Sequence, residues 1–153
     1  MLQPDHAYGP PLIGALLRMP TDVIRRAILD RLHAHGYDDL TPAHHPVFRY
    51  PGPQGQRPVD LAAQVGMSKQ AMNYLLGQLE GLGYLERRSD PSDSRSRLVF
   101  LTARGEAALV VIRDAVREVE AAWTLEMGEQ DMDRLGELLI RLNEIAFAPE
   151  PTR

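Results

Sequence analysis

Polar side chains recur at helical spacing between residues 68 and 78 of this 153-residue chain. Residues three and four apart share one face of a helix. Asparagine and glutamine can bond two edge atoms of an adenine, whereas lysine, tyrosine and serine can contact phosphates. The residues predicted to bind DNA from this segment are Ser68, Lys69, Gln70, Asn73, Tyr74 and Gln78. The pattern indicates base reading, although a polar stripe is also typical of any solvated helix face.

Arginine side chains form a second candidate feature, in a short segment that follows the polar helix. Arg87, Arg95 and Arg97 lie in or beside SDPSDSRS, a stretch with the composition of a turn. Arginine at the tip of a hairpin can enter a narrow minor groove, where the negative potential is enhanced. We interpret Asp93 as the partner that orients the Arg95 guanidinium, and we expect Arg87 and Arg97 to contact the DNA backbone. The alternative is that arginine and aspartate simply pair on an exposed turn.

The elements predicted from hydrophobic spacing place these two features side by side. A short helix in VDLAAQVG ends at Gly66, and Ser68 caps a stronger helix over residues 68–83. Two short strands, Tyr84–Arg88 and Arg97–Leu101, follow this helix. Because a lone two-stranded hairpin is marginal in water, the hairpin must lean on the helices before it. The order of elements predicts a winged helix–turn–helix.

Longer helices are predicted on both sides of this winged unit. Residues 12–36 show helical apolar spacing, and Pro20 is expected to kink or divide that helix. Thr102 is expected to cap a helix that continues to about residue 125, and Gly128 separates it from a last helix. A helix of roughly 24 residues is about 36 Å long, too long for a unit of about 60 residues to cover. We therefore expect these helices to pair two copies of the chain.

Prolines shape the segment between the first long helix and the polar helix. Thr41 is predicted to cap a short helix with Pro42 in its first turn, and Pro46 should make the continuation of that helix difficult. The segment YPGPQGQRP, residues 50–58, is predicted to be a loop. The first helix of the winged unit is therefore expected to be short.

The predicted fold class is mainly α with a small β-hairpin wing: a winged helix–turn–helix with N- and C-terminal dimerisation helices. The predicted organisation has a flexible arm at 1–11, an N-terminal helical dimerisation segment at 12–40, a winged helix–turn–helix DNA-binding domain at 41–103, C-terminal dimerisation helices at 104–148 and a tail at 149–153. The winged domain lies in the more basic part of the chain. Residues 1–104 carry a net charge of +2, whereas residues 105–153 carry −6.

Composition and motifs exclude several other classes of protein. The chain has no cysteine, which excludes disulfides, thiolate zinc sites and iron–sulfur clusters. No apolar run approaches the roughly 20 residues that cross a bilayer, and the amino terminus lacks a secretion-signal pattern. We therefore expect a cytoplasmic protein with no membrane partner. The sequence also has no Gly-rich phosphate loop, nucleophile elbow or His-Glu-x-x-His motif, so we predict that it is not an enzyme.

The segment DPSDSRSRLVFLTARG, which ends at Gly105, resembles the wing of the MarR family of transcriptional regulators. The shared pattern is Asp-Pro, an Asp-x-Arg pair, an apolar strand, Leu-Thr and a glycine, and the recognisable motif covers residues 61–105. The resemblance implies that helix 68–83 is the recognition helix and that Asp93 and Arg95 are the orienting and minor-groove residues of the wing. Family members often carry threonine and arginine where this chain has Ala71 and Tyr74, so the resemblance does not identify its base contacts.

Taken together, these features predict a sequence-specific, double-stranded DNA-binding transcriptional regulator, a homodimeric repressor on a palindromic operator. No cofactor is predicted. The resemblance implies a small-molecule effector, aromatic or anionic, that releases the repressor from DNA.

Two alternatives remain open at this point. One is a winged-helix module that binds only proteins. The other is a metal-responsive regulator that uses His33, His35, His44 and His45, although residues two apart on a helix point away from each other.

Overall fold

The computed structural model describes residues 11–48 and 52–146. Within these residues the elements follow one another as α1 (Ile13–Ala34), α2 (His45–Phe48), α3 (Pro58–Gln64), α4 (Lys69–Gly81), β1 (Leu85–Asp90), β2 (Asp93–Leu101), α5 (Ala103–Met127) and α6 (Glu129–Ala146). The two strands form one antiparallel hairpin. The predicted fold class, mainly helical with a β-hairpin, is confirmed. The chain divides into two compact units, one ending at Val116 and the other beginning at Arg117.

The first unit has an apolar core built from every element between α1 and the start of α5. Side chains with almost no exposed surface include Ile28, Val47, Phe48, Leu61, Met72, Leu76, Leu79, Tyr84 and Val99. The predicted apolar face of the polar helix is confirmed, because Met72, Leu75, Leu76 and Leu79 of α4 are all buried. This burial leaves the opposite face of α4 to solvent.

The tight turn between α3 and α4 is confirmed, and so is the N-terminal cap of α4. Gly66 has a φ of +65°, a left-handed conformation that side chains with a Cβ rarely adopt. Ser68 has an extended backbone, and its hydroxyl accepts a hydrogen bond from the Ala71 N–H at 3.2 Å. The turn and the cap together define where α4 begins, and therefore which of its residues face outward.

The hairpin is longer than the sequence predicts and contains an irregularity near its tip. Pairing is regular from Leu85 opposite Leu101 to Ser89 opposite Arg97, and then shifts so that Asp90 pairs with Asp93. Residues 94–96 are therefore extra residues in β2, as in a β-bulge, and bulges redirect side chains and increase twist. Only residues 91 and 92 connect the two strands, so most of the predicted turn is strand.

The predicted loop at residues 50–58 is confirmed over residues 52–57, which contain one isolated β-bridge, and is wrong at Pro58, which begins α3. Gln56 forms a two-way backbone bridge with Val99, with N–O distances of 3.0 Å and 2.8 Å. Gly55 brings its backbone so close to the Phe100 ring that an added Cβ would lie 2.5 Å from a ring atom. Pro58 is the first residue of α3, where a missing N–H is not needed. Residues 49–51 lie outside the described part.

Two other boundaries differ from the predictions made from proline. Helix α1 is not divided at Pro20 but continues through it, because its second half is anchored in the core by Ile28 and Leu32. The predicted start of α2 at Pro42 is also wrong: the helix begins at His45. Residues 41–44 instead form a turn, closed by a 3.0 Å bond from the His44 N–H to the Thr41 carbonyl. Pro46 then lies in the first turn of α2, where proline is tolerated.

The start of α5 is held closely against the base of the hairpin. The Thr102 hydroxyl accepts the Gly105 N–H at 3.1 Å, which confirms the predicted cap, and donates to the Gly83 carbonyl at 2.6 Å. A Cβ at position 105 would lie 2.1 Å from the Tyr84 carbonyl oxygen. Glycine at this position therefore allows the helix to approach the strand, which gives the Leu-Thr…Gly pattern a physical reason.

The second unit is helical and has no core of its own in the described residues. Gly128, with a φ of +88°, separates α5 from α6 as predicted. No residue of α6 is buried, although its apolar side chains recur at helical spacing. The predicted arm and tail fall largely on residues 1–10 and 147–153, outside the described residues. None of the described helices is both long and apolar enough to cross a membrane.

Candidate nucleic-acid interface

The polar residues predicted on the recognition helix share one exposed face of α4. Lys69, Gln70, Asn73, Tyr74 and Gln78 are all exposed, and two thirds of the Tyr74 surface is open to solvent. Ser68 lies at the end of this face as the cap. A helix N-terminus carries a partial positive charge, and this one has Lys69 as its first residue. The face can therefore donate hydrogen bonds to phosphates and base edges.

Hydrogen bonds inside this face restrict what its amides can do. The Asn73 side-chain nitrogen donates to the Lys69 carbonyl at 3.0 Å, which leaves the amide oxygen as an acceptor. The Gln78 nitrogen donates to the Tyr74 hydroxyl at 3.2 Å. The Gln78 oxygen lies 3.2 Å from Nε2 of His44. The two amides thus differ: the Asn73 nitrogen is bonded to its own helix, whereas the Gln78 oxygen is held towards the buried His44.

His44 belongs to this interface, although the sequence suggested it only as a metal ligand. The residue is 5% exposed and lies just before α2, beneath α4. The backbone N–H of Thr41 donates to its Nδ1 at 3.1 Å. Sequence spacing could not reveal this role, since His44 and Gln78 are 34 residues apart. Among the described residues, no group of three or more potential ligands could hold a metal ion.

The wing presents two arginines from the irregular part of β2. Arg95 and Arg97 are both exposed, and the Arg95 guanidinium forms no ion pair with the described residues. Asp93 does not hold that guanidinium as expected. Its carboxylate instead accepts the Arg95 backbone N–H at 3.0 Å and the Ser96 hydroxyl at 2.6 Å. These bonds lower the pKa of Asp93 and shape the bulge that carries Arg95.

The base of the wing tip is anchored by an ion pair that sequence reasoning missed. Arg57, just before α3, donates to one Asp90 carboxylate oxygen from Nε at 3.1 Å and from Nη2 at 2.8 Å. The other oxygen accepts the backbone N–H and the hydroxyl of Ser92. Hydrogen bonds from Ser92 and Arg57 lower the pKa of Asp90 to about 2. Asp90 is buried, so this pair holds the tip of the hairpin to the helix–turn–helix.

Arg87 contacts the recognition helix and is only partly available for DNA. Its Nε lies 3.2 Å from a Glu80 carboxylate oxygen, close enough for an ion pair, but without hydrogen-bond geometry. Its Nη2 also lies 3.5 Å from the Asn73 carbonyl. The residue therefore links β1 to α4, and its expected phosphate contact stays a prediction.

A second polar cluster holds the base of the hairpin to the turn before α2. The Tyr84 hydroxyl donates to Asp39 at 2.5 Å, and Arg104 donates to the other Asp39 oxygen at 2.8 Å. The Arg104 guanidinium also lies over the Tyr84 ring, 4.3 Å from its centroid. Burial and the bond to Asp39 raise the pKa of Tyr84 to about 12. The hydroxyl therefore stays protonated at neutral pH.

A narrow apolar cleft, lined in part by His44, lies within the first unit. It encloses about 10 Å³, room for about one water molecule. Its lining combines apolar side chains with a few polar ones, among them Arg25, Thr41, His44 and His45.

Comparison with known proteins found both similar sequences and similar structures. A model of the MarR family matches residues 38–96. The transcriptional regulator HosA of Escherichia coli O111:H- is 35% identical over 88 residues, which make up 55% of this chain and 65% of that protein. The match therefore spans slightly less than two thirds of that relative.

Two solved structures resemble nearly the whole chain. The transcriptional repressor CouR, bound to a 23-mer DNA duplex, is 26% identical with a TM-score of 0.68, over 86% of this chain and 92% of that one. A MarR family protein of Mycobacterium tuberculosis, Rv2887, in complex with salicylic acid, is 27% identical with a TM-score of 0.63, over 87% of this chain and 97% of that one.

Proposed function

We propose that the chain is a member of the MarR family through its winged helix–turn–helix domain, and that it is a transcriptional regulator that binds a specific double-stranded DNA site. The observation that carries this proposal is the pairing of two features in one compact unit. One is the donor-rich exposed face of α4, and the other is the exposed Arg95 on an anchored hairpin. Similarity to transcriptional regulators agrees with the prediction that the chain is not an enzyme.

The two features suit different grooves of a duplex. A helix fits the major groove, where its first residues reach deepest, so Lys69, Gln70 and Asn73 would meet base edges and phosphates. Arg95 would enter the minor groove, and Arg97 would contact the backbone beside it. Support comes from the exposure of all these side chains and from the Arg57 anchor that orients the hairpin. These DNA contacts are our proposal for this chain.

We further propose that the regulator acts as a homodimer on a palindromic site. Apolar side chains are exposed at helical spacing in α1 and, separately, in α6: Ile13, Leu16, Met19, Val23, Leu135, Leu138, Leu142 and Ile145. A second copy of the chain would cover such stripes with the same residues, as two-fold symmetry requires. A two-fold dimer would present its two recognition helices about 34 Å apart, at successive major-groove faces. The N-terminal segment at 12–40 and the helices at 104–148 are the proposed dimerisation segments.

We also propose that the protein represses transcription and that an aromatic or anionic effector relieves this repression. CouR is described as a repressor, and Rv2887 has been solved with salicylic acid, an aromatic anion. In this chain the cleft beside His44 has an arginine and two histidines in its apolar lining, groups that suit an aromatic carboxylate. At about 10 Å³ it would have to open to admit such a ligand. The cytoplasm is the proposed place of action.

Selection of bound duplexes from genomic DNA tests the proposed function. We expect a two-fold symmetric site whose binding constant falls steeply with salt, because each neutralised phosphate releases counterions. Substitution Arg95→Ala should weaken specific binding by about tenfold or more while the melting temperature stays unchanged.

The matched control is Arg113→Ala, which removes an exposed arginine from α5, away from the wing. It should leave DNA affinity near the wild-type value. If no duplex is enriched at low salt, the alternative of a winged helix that binds only proteins becomes the better account.

A further inference from the structure

A chain of hydrogen bonds leads from a buried histidine to the exposed face of the recognition helix. The Thr41 N–H donates to Nδ1 of His44, and Nε2 of His44 lies 3.2 Å from the Gln78 amide oxygen. The Gln78 amide nitrogen then lies 3.2 Å from the Tyr74 hydroxyl oxygen. His44 is buried, whereas Gln78 and Tyr74 are exposed, so the chain begins in the core and ends at the surface.

The direction of every donor in this chain follows from its buried end. A backbone N–H can only donate, so Nδ1 of His44 must be the unprotonated acceptor. The ring proton of the neutral imidazole is then on Nε2, because the bond made by one nitrogen determines the state of the other. Nε2–H donates to the Gln78 oxygen. If the Gln78 amide were flipped, its N–H would face Nε2–H of His44. If the ring proton were on Nδ1 instead, it would face the Thr41 N–H.

This direction determines what Gln78 and Tyr74 can offer to DNA. The Gln78 oxygen is bonded to His44, and the nitrogen gives one of its two N–H groups to Tyr74 and keeps the other for an outside acceptor. The Tyr74 oxygen already accepts from Gln78, so its O–H is also left to donate. A free glutamine pairs with adenine by accepting from N6 and donating to N7. The Gln78 oxygen has a second lone pair, but His44 holds this oxygen towards the core, so the amide is not oriented to make that pair.

We propose that His44 is a positioning residue for base selection: by holding the Gln78 oxygen inward, it turns the donors of Gln78 and Tyr74 outward at this end of α4. Such a surface fits a site with acceptors and no competing donor. On DNA these are the N7 and O6 atoms of guanine, or the oxygens of a phosphate. The proposal rests on the proposed DNA-binding function and adds to it a preference for acceptors over the adenine edge.

The experiment begins with the wild-type protein and Gln78→Ala on the selected duplex site. Comparing the two across every single-base change identifies the position that Gln78 reads. We expect guanine there, with a preference over adenine of about tenfold. Replacing that guanine by 7-deazaguanine, which lacks the N7 acceptor, should weaken binding by the wild type and have little effect on Gln78→Ala. If the partner is a phosphate, a methylphosphonate at one backbone position should instead weaken the wild type alone.

Two substitutions of His44 separate positioning from packing. In His44→Asn the amide oxygen can replace Nδ1 as acceptor for Thr41, but nothing replaces Nε2–H. In His44→Gln the longer side chain can place an N–H near the Nε2 position. Both remove the imidazole ring, so a purely structural role would affect them alike. We expect His44→Asn to lower the guanine preference to about twofold and His44→Gln to retain most of it.

Several results would overturn the proposal while leaving the proposed function intact. These are an adenine at the position read by Gln78, no position that depends on Gln78, or equal base preference in the two His44 variants. If His44→Asn does not fold, the 7-deazaguanine and methylphosphonate comparisons still decide, because they use the wild-type residue. A wild-type protein that binds no duplex would refute both proposals at once.

Discussion

Leucines at the same helical spacing have opposite surroundings in α4 and in α6. Leu76 of α4 has no exposed surface, whereas Leu138 of α6 is 49% exposed, and no residue of α6 is buried. The helices differ little as sequences, since each has an apolar stripe and a polar face. The difference is that α4 finds its apolar partners within the same chain. An apolar stripe therefore identifies a surface that packs against a partner. The rest of the fold determines whether that partner belongs to the same chain.

The largest expected effect comes from shortening the side chain of Leu76 to alanine, and the same change at Leu138 is its comparison. Leu76→Ala should lower the free energy of unfolding by about 2–5 kcal/mol, because it opens a cavity in a closed core. The loss, measured by urea denaturation, should be the same at two protein concentrations.

Leu138→Ala is the matched control, and its cost should grow as the protein is diluted from dimer towards monomer. Equal, concentration-independent losses from both substitutions would show that α6 is covered within its own chain.

A charge in the stripe of α6 is expected to have the next largest effect. Leu138→Asp would bury an unpaired carboxylate in the proposed dimer contact and should weaken the dimer about 100-fold. Sedimentation should then show a particle of 17.1 kDa in place of one of twice that mass.

Gln130→Asp adds the same charge at an exposed polar position of α6 and should leave the dimer intact. A wild-type protein that sediments as a monomer would remove the basis of this prediction and of the comparison.

The smallest expected effect concerns the first unit, at the ion pair between Arg57 and Asp90 that anchors the hairpin. Because the folded pKa of Asp90 is about 2 and its ordinary value is 3.8, the folded state favours the ionised form. Its contribution to stability is present above pH 3.8 and is lost as the pH falls towards 2. Asp90→Asn should therefore lower the melting temperature at neutral pH and make the curve flatter below pH 4.

Asp133→Asn, on an exposed residue of α6, serves as the control and should leave the acid limb of the melting curve unchanged. Parallel curves for the wild type and Asp90→Asn would mean that the pair with Arg57 contributes nothing to the folded state.

The elements that depend on neighbouring residues were predictable from the sequence. The cap at Ser68, the apolar face of α4, the hairpin and the glycine between α5 and α6 all depend on residues within a few positions of one another. Local propensity and periodicity act over this range. The same range explains the error at Pro42, where the bond to His44 overrides the local tendency.

The contacts that shape the interface were not predictable, since they join distant positions. Arg57 and Asp90 are 33 residues apart, and His44 and Gln78 are 34 apart. Each pair contains residues that look like ordinary surface residues until a partner is known. Sequence reasoning accordingly selected the exposed residues of α4 and of the wing, and missed the buried ones that orient them.

By itself, the amino-acid sequence determined which faces are apolar, where helices are capped, and which exposed side chains carry donors and positive charge. The tertiary structure decided which way those polar groups point, because a hydrogen bond from the core holds the oxygen of Gln78 inward and bonds to Asp93 shape the loop that carries Arg95. The physical reason is that donors and acceptors are directional and few. Their availability depends on partners that only folding brings together.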